Sequence, residues 1–184
     1  MENLFETIVS DVTQNKKVIS LAKKLALKCS LKSGKDLENL KDLCFWLYIY
    51  DRKEKARLAC EIADNVPFEN DFNIWTWVEV ITALHIRILR EQNKIDKIEA
   101  YRPRLMISYE GEAKLLCRIL NGSLLYDDKI KVYEDEGDEK RANAWRFLQV
   151  GQLCIMRELG GSETYPIETL DKEIERLKSI LSAI

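Results

Sequence analysis

The only histidine of the chain, His85, stands between two charged residues, Glu79 and Arg87, in an otherwise apolar stretch. Imidazole, carboxylate and guanidinium groups are the usual acids, bases and charge stabilisers of enzymes. Glu79 and Arg87 are just over two helical turns apart, so their side chains can converge on a shared third group. Together with Trp77, these three residues form a candidate binding groove for a small ligand or substrate.

A single histidine also limits the chemistry that the chain can perform. Any Ser-His-Asp or Cys-His scheme must use His85, and no second histidine is present for a metal pair. The five cysteines include no CxxC pair, and the acidic stretch 134–138 lacks the spacing of a calcium loop. Glycine-rich phosphate loops are absent from the sequence. We therefore predict no catalytic residue, no metal site and no cofactor.

The same residues also fit a structural role. His85 lies between Ile81 and Leu89 on the inward face of the predicted helix, which favours a hydrogen-bonded histidine in the core. Glu79 and Arg87 would be partly buried and would need partners, which favours a structural ion pair over a ligand site. A groove that binds a ligand is the alternative.

A second candidate surface is a run of seven lysines without an acid between Val12 and Lys35. Lys17, Lys24 and Lys28 share one face of the predicted helix. Such a face could dock on nucleic acid, on a membrane surface or on an acidic protein. Arginine and interleaved exposed aromatic residues are absent here, which favours a solvated face. These three lysines are the candidate face for an anionic partner.

The bulk composition is that of a globular chain whose total charge indicates neither a nucleic-acid nor a membrane partner. Of its 184 residues, 46% are hydrophobic and 33% are charged, and the net charge is −2. No stretch approaches the ~20 uninterrupted apolar residues of a membrane span. The first residues do not resemble a secretory leader, and the cysteine spacing predicts reduced thiols. We expect a cytoplasmic protein.

Helical periodicity predicts the elements that position these residues. Apolar residues recur at intervals of three and four along most of the chain, and no segment alternates convincingly as a strand does. We predict an all-α fold of about nine or ten helices without a sheet, in a single domain over residues 1–184. Asp36 and Asp51 are predicted N-caps, Pro103 a helix stop, and Gly160-Gly161 a glycine stop.

The run LCFWLYIY, Leu43–Tyr50, is apolar in every direction around a helix. A helix with this pattern must be packed on more than one side. We therefore predict that it lies at the centre of the stack of helices.

Residues 37–101 resemble two hairpins of the tetratricopeptide type. Pro67 lies near the position of the terminal proline of that repeat, whereas Asp51 stands where glycine is usual. The small packing residues of the repeat correspond to Ala56, Cys60 and Ala63. The chain as a whole is similar to an uncharacterised bacterial family. The resemblance implies an array of antiparallel helical hairpins that serves as a protein-binding scaffold.

These observations predict a non-catalytic helical scaffold that binds another protein and uses neither nucleic acid nor a membrane. One alternative is a bacterial immunity or antitoxin-type protein, whose acidic turn near residue 135 would cover a basic surface. The other is an enzyme or small-ligand binder with an inter-helix pocket near Glu79, His85 and Arg87. A homo-oligomer is compatible with each.

Overall fold

The computed structural model describes residues 2–11, 15–105 and 126–184, and every regular element in these ranges is a helix. The prediction of an all-α fold is confirmed, with no strand in the described ranges. The helix predicted from Ser108 through Leu120 lies outside them. Contacts between Cα atoms divide the chain into two compact units, residues 1–104 and residues 105–184.

Unit 1 is built from helices, and each of the first five packs on its neighbour along the chain, with the third also packed on the fifth. A 3-10 turn, Ile95–Lys97, precedes the last helix of the unit. This helix ends at Leu105, one residue beyond the unit boundary. The helices are α1 (Glu2–Asp11), α2 (Lys16–Leu27), α3 (Gly34–Ile49), α4 (Lys53–Ala63), α5 (Phe72–Glu91) and α6 (Ile98–Leu105).

Helix α3 is the centre of unit 1, as its continuous apolar run predicts. It contacts α2, α4 and α5. Phe45, Leu47 and Tyr48 are at most 1% exposed, and Trp46 is 8% exposed. The burial predicted for this run is therefore confirmed, because three neighbouring helices cover its different faces.

Both aspartates predicted as N-caps have other roles. Helix α3 is capped by Ser33, and the Asp36 carboxylate accepts a hydrogen bond from the Ser30 amide at 2.9 Å. Asp51 has a left-handed backbone with φ of 59°, in the tight turn between α3 and α4. The Arg52 amide closes this turn by donating to Leu47 O at 2.8 Å. Asp51 thus supplies the positive φ that this turn requires, a conformation that glycine adopts most readily.

The predicted stop at Pro103 is wrong, because α6 continues through this residue to Leu105. A proline inside a helix removes its own amide donor, and α6 includes Pro103 despite this loss.

Unit 2 contains three described helices, with α8 packed against both of the others. They are α7 (Asp127–Asp135), α8 (Glu139–Glu158) and α9 (Ile167–Ser182). The predicted glycine stop after α8 is confirmed, since Gly160 and Gly161 have φ of 98° and 68°. A Cβ on Gly161 would lie 2.6 Å from Tyr165 O, so the turn requires glycine there.

The arrangement of these helices as repeating hairpins, and their membership of one domain, stay predictions. Cys29, Cys44 and Cys60 are free thiols. Burial raises the pKa of the Cys60 thiol well above its usual value, and the neighbouring Cys44 adds to the effect.

Candidate functional site

The four residues of the candidate groove on α5 contact different neighbours. His85 and Arg87 are 1% and 7% exposed, while Trp77 and Glu79 are half-buried. Trp77 lies against the first turns of α3, with Lys41 Nζ 5.2 Å from its ring centroid. His85 faces the end of α4 and α6, and Arg87 faces α3.

Arg87 is held by a partly buried network that joins α5 to α3. Its Nε donates to the Tyr48 hydroxyl at 2.7 Å, and this hydroxyl donates to Glu91 Oε1 at 2.6 Å. Glu91 is also paired with Arg87 and with Lys53, at 3.2 and 2.9 Å. The guanidinium is therefore neutralised within the fold, and the interaction is structural.

His85 is buried, as predicted, but it is not hydrogen-bonded within the described part of the chain. Neither ring nitrogen has a hydrogen-bond partner there. Asp64 Oδ1 lies 3.6 Å from Nδ1, beyond hydrogen-bond distance, and Asp64 Oδ2 accepts the Tyr101 hydroxyl at 3.1 Å. The His85 and Tyr101 rings are in contact, with centroids 4.4 Å apart. His85 thus packs as a ring against Tyr101, and the predicted hydrogen bond is not formed with any described residue.

The cluster around His85 joins the end of α4 to α6. Burial and the adjacent Asp64 carboxylate raise the pKa of Tyr101 to about 12. Arg104 donates to Ala63 O and Val66 O, each at 3.0 Å, and burial lowers its pKa. These contacts tie α6 to the carbonyl groups at the end of α4.

The exposed face of α2 forms a surface of a different kind, called the lysine face below. Its opposite side, with Val18, Ala22 and Leu25, is buried against the rest of unit 1. The lysine face consists of six exposed lysines, Lys16, Lys17, Lys23, Lys24, Lys28 and Lys32. None of these lysines forms an ion pair with a carboxylate in the described part of the chain.

The acids that follow the lysine face along the chain are engaged elsewhere. Asp36 accepts a hydrogen bond from the Ser30 amide. Glu38 pairs with Lys35, and Asp42 pairs with Lys41. Two lysines of this face contact uncharged groups instead. Lys17 Nζ lies 4.6 Å from the centroid of a Trp46 ring, and Lys24 Nζ is 3.4 Å from an amide oxygen of α3. The positive charge of the face is left uncompensated by carboxylates.

A pocket of about 410 Å³ opens at the first turns of α2, between α2 and α3. At the other end of the helix, Leu27 is 90% exposed. The pocket and Leu27 therefore lie at the two ends of the lysine face. Sequence reasoning identified three lysines here but missed the pocket, since Trp46 was taken only as a core residue. The pocket is lined by Lys16, Lys17, Ser20, Leu21, Asp42 and Trp46.

Unit 2 has a groove of about 690 Å³ between α7 and α9. Several of its charges are already paired. Glu134 binds Arg146, and Glu173 holds Arg176 through two hydrogen bonds of 2.8 and 2.6 Å. The groove therefore has less uncompensated charge than the lysine face.

Two further features of the described residues bear on other functions. No group of three or more histidine, cysteine, aspartate or glutamate side chains there could hold a metal ion. Among the described helices, none combines the length and the apolar character that crossing a membrane requires.

A family model covers residues 1–183, and its description is "family of unknown function (DUF6707)". No curated protein and no solved structure matches the chain. The predicted similarity to an uncharacterised family is confirmed, and the tetratricopeptide resemblance stays a prediction.

Proposed function

The chain belongs to DUF6707, a family of unknown function, and we propose that it is a non-catalytic helical scaffold that binds another protein. The observation that carries this proposal is the lysine face of α2. Six exposed ammonium groups occupy one helix and the turn that follows it, and none pairs with a carboxylate in the described ranges. A surface with several positive charges favours an acidic partner and accelerates its association.

The groove on α5 is the weaker basis for a function. A ligand site needs its polar groups to converge on an accessible space. Here His85 and Arg87 are buried and face different helices. An enzyme built on these residues has no geometric support, so a binding role through the surface of unit 1 is preferred.

The proposed setting is the cytoplasm. Cys29, Cys44 and Cys60 are free thiols, in keeping with a reducing compartment. Homo-oligomers are compatible with the proposal.

Site-specific photo-crosslinking in the native host tests the proposal. A photoreactive amino acid replaces Lys23 or Lys28 on the lysine face, and Lys172 on α9 serves as the exposed control position. A third position, Glu136 after α7, tests the immunity-type alternative, in which the acidic turn makes the contact. We expect a protein adduct from the α2 positions that disappears in the Lys17→Glu/Lys24→Glu background.

Two results would contradict the proposal. Adducts formed only from Glu136 would move the contact to unit 2, as the immunity-type alternative predicts. Equal adducts from the α2 positions and from Lys172 that survive the charge reversal would show random collision. In either case the lysine face would not be the binding surface.

A further inference from the structure

We infer that the partner presents an acidic segment with one large apolar side chain, and that this side chain enters the pocket between α2 and α3. The inference rests on the proposed function and specifies the class of partner. Its anchor would contact Trp46 and Leu21, while its carboxylates would pair with the ammonium groups of the lysine face.

Charge alone does not account for a stable complex at this face. An exposed ion pair contributes about 0–1 kcal/mol, because solvent screens it and two long side chains lose freedom. Affinity at interfaces comes mainly from a few buried anchors in pockets, surrounded by a polar rim. The pocket of about 410 Å³ is the concave feature of this face, and lysines stand at its edge.

The lining of the pocket combines apolar and polar groups, and both can contact a side chain that enters it. Leu21 and the Trp46 ring supply apolar contacts, and the Ser20 hydroxyl and the Lys16 ammonium supply polar groups. The Asp42 carboxylate also lines the pocket, but its charge is already paired with Lys41. Lys17 already lies over Trp46, so an entering group meets a positive charge as well as an aromatic ring. An apolar side chain flanked by carboxylates matches both features.

The length of the face defines the length of the segment. Lys17 and Lys28 are separated by about 16 Å along the helix axis, at 1.5 Å per residue. An extended peptide covers this distance with about five residues. A short segment can therefore fill the pocket, pass along the lysines and reach Leu27, whose exposure of 90% leaves it available for a second apolar contact.

Two other anionic partners fit less well. The lysine face contains no arginine for bidentate phosphate contacts, and α2 contributes no aromatic side chain on which a base could stack. A lipid surface is flat and does not fill a pocket. The apolar side of α2 is buried in unit 1, so the helix cannot insert into a bilayer.

The test measures binding of defined probes to the full-length protein. The probes are glutamate-rich peptides of about ten residues, enough to span the face, that differ only at one central position, alanine, leucine or tryptophan. We expect the leucine and tryptophan peptides to bind about tenfold more tightly than the alanine peptide, because the anchor buries apolar surface. Binding should weaken with rising salt.

Two variants separate the charge from the pocket, each with a matched control. Lys17→Glu/Lys24→Glu/Lys28→Glu should weaken every peptide about tenfold or more, whereas reversal of Lys97, Lys140 and Lys172, exposed elsewhere, should not. Ser20→Trp fills the pocket without changing charge. It should remove the preference for the anchor peptides, whereas Ser179→Trp on α9 should preserve it.

The outcomes distinguish this inference from the proposed function. Charge reversal could abolish the crosslink in the host while the peptides bind equally with every central residue. In that case the proposed protein-binding function is kept, and the inference of an apolar anchor in the pocket is overturned. The inference is also overturned if no peptide binds, or if single-stranded DNA or phosphatidylserine vesicles bind more tightly in a lysine-dependent way. Circular dichroism of each variant confirms that the fold is retained.

Discussion

At the scale of single residues, the buried Tyr48 hydroxyl connects two charged groups. It accepts from Arg87 Nε and donates to Glu91 Oε1. Replacing one partner in a buried network leaves the others unsatisfied, at a cost of about 1–3 kcal/mol. We therefore expect Tyr48→Phe to lower the free energy of unfolding by about this amount, measured by urea titration.

The control for this change is Tyr133→Phe, whose hydroxyl has no hydrogen bond within the described residues and whose ring is half-exposed. A loss that is equal in both variants would mean that the Tyr48 hydroxyl contributes nothing specific.

His85 leads to the opposite expectation. Its ring is 1% exposed, and its two polar nitrogen atoms form no hydrogen bond with the described residues. An unsatisfied buried polar group costs free energy that an apolar residue of similar size does not. His85→Leu should therefore leave the free energy of unfolding unchanged or raise it, within about 1 kcal/mol. A loss of about 2 kcal/mol or more would reveal a hydrogen bond or a bound water that the imidazole needs.

At the scale of elements, α3 carries the core of unit 1. Leu47 is 0% exposed and lies on a helix that contacts three others. Leu47→Ala should cost about 2–5 kcal/mol, as for other large-to-small changes in a core. The matched control is Leu58→Ala on α4, where the leucine is 36% exposed and the cost should be clearly smaller. Chemical denaturation of both variants measures the difference, and equal losses would refute the central position of α3.

The contact between α4 and α6 makes the free energy of unfolding depend on pH in the alkaline range. Tyr101 has a folded-state pKa of about 12, raised by burial and by Asp64, against a pKa of about 10 in an unfolded chain. The neutral phenol is therefore favoured by folding. This contribution is complete below pH 10 and is lost as the pH rises towards 12. Tyr101→Phe should show a smaller fall in stability across this range, by thermal melts at matched pH values. Parallel curves for both proteins would exclude the linkage.

At the scale of the whole molecule, the chain separates charge along its length. Lysine and arginine outnumber acids 18 to 16 in residues 1–104, and acids outnumber bases 15 to 11 in residues 105–184. The lysine face belongs to unit 1 and the acidic turn after α7 to unit 2. The proposal for the lysine face therefore concerns an acidic partner of the first unit.

The prediction of a single domain is tested by two spectroscopic probes. Three of the four tryptophans lie in unit 1, so fluorescence of a Trp145→Phe variant reports that unit alone. Far-UV circular dichroism reports helices throughout the chain. One cooperative domain gives coincident denaturation curves by both probes. Separate midpoints in the same variant would show that the two units unfold independently.

The sequence by itself determined the class of the fold and the central position of α3. The first follows from hydrophobic periodicity and the second from the uninterrupted apolar run Leu43–Tyr50, and both are local properties of the chain. It also identified Lys17, Lys24 and Lys28 as a basic face, because residues that share a helix face can be counted from spacing alone.

Only the tertiary structure decided what each polar side chain contacts. Glu79, His85 and Arg87 lie close together in the sequence, yet Arg87 contacts Tyr48 of α3, and His85 contacts Tyr101 of α6. The partner of a buried group depends on which distant helix packs against it. The pocket beside Trp46 arises in the same way, from the packing of α2 on α3. Spacing within one helix cannot specify either result, because both depend on contacts between helices.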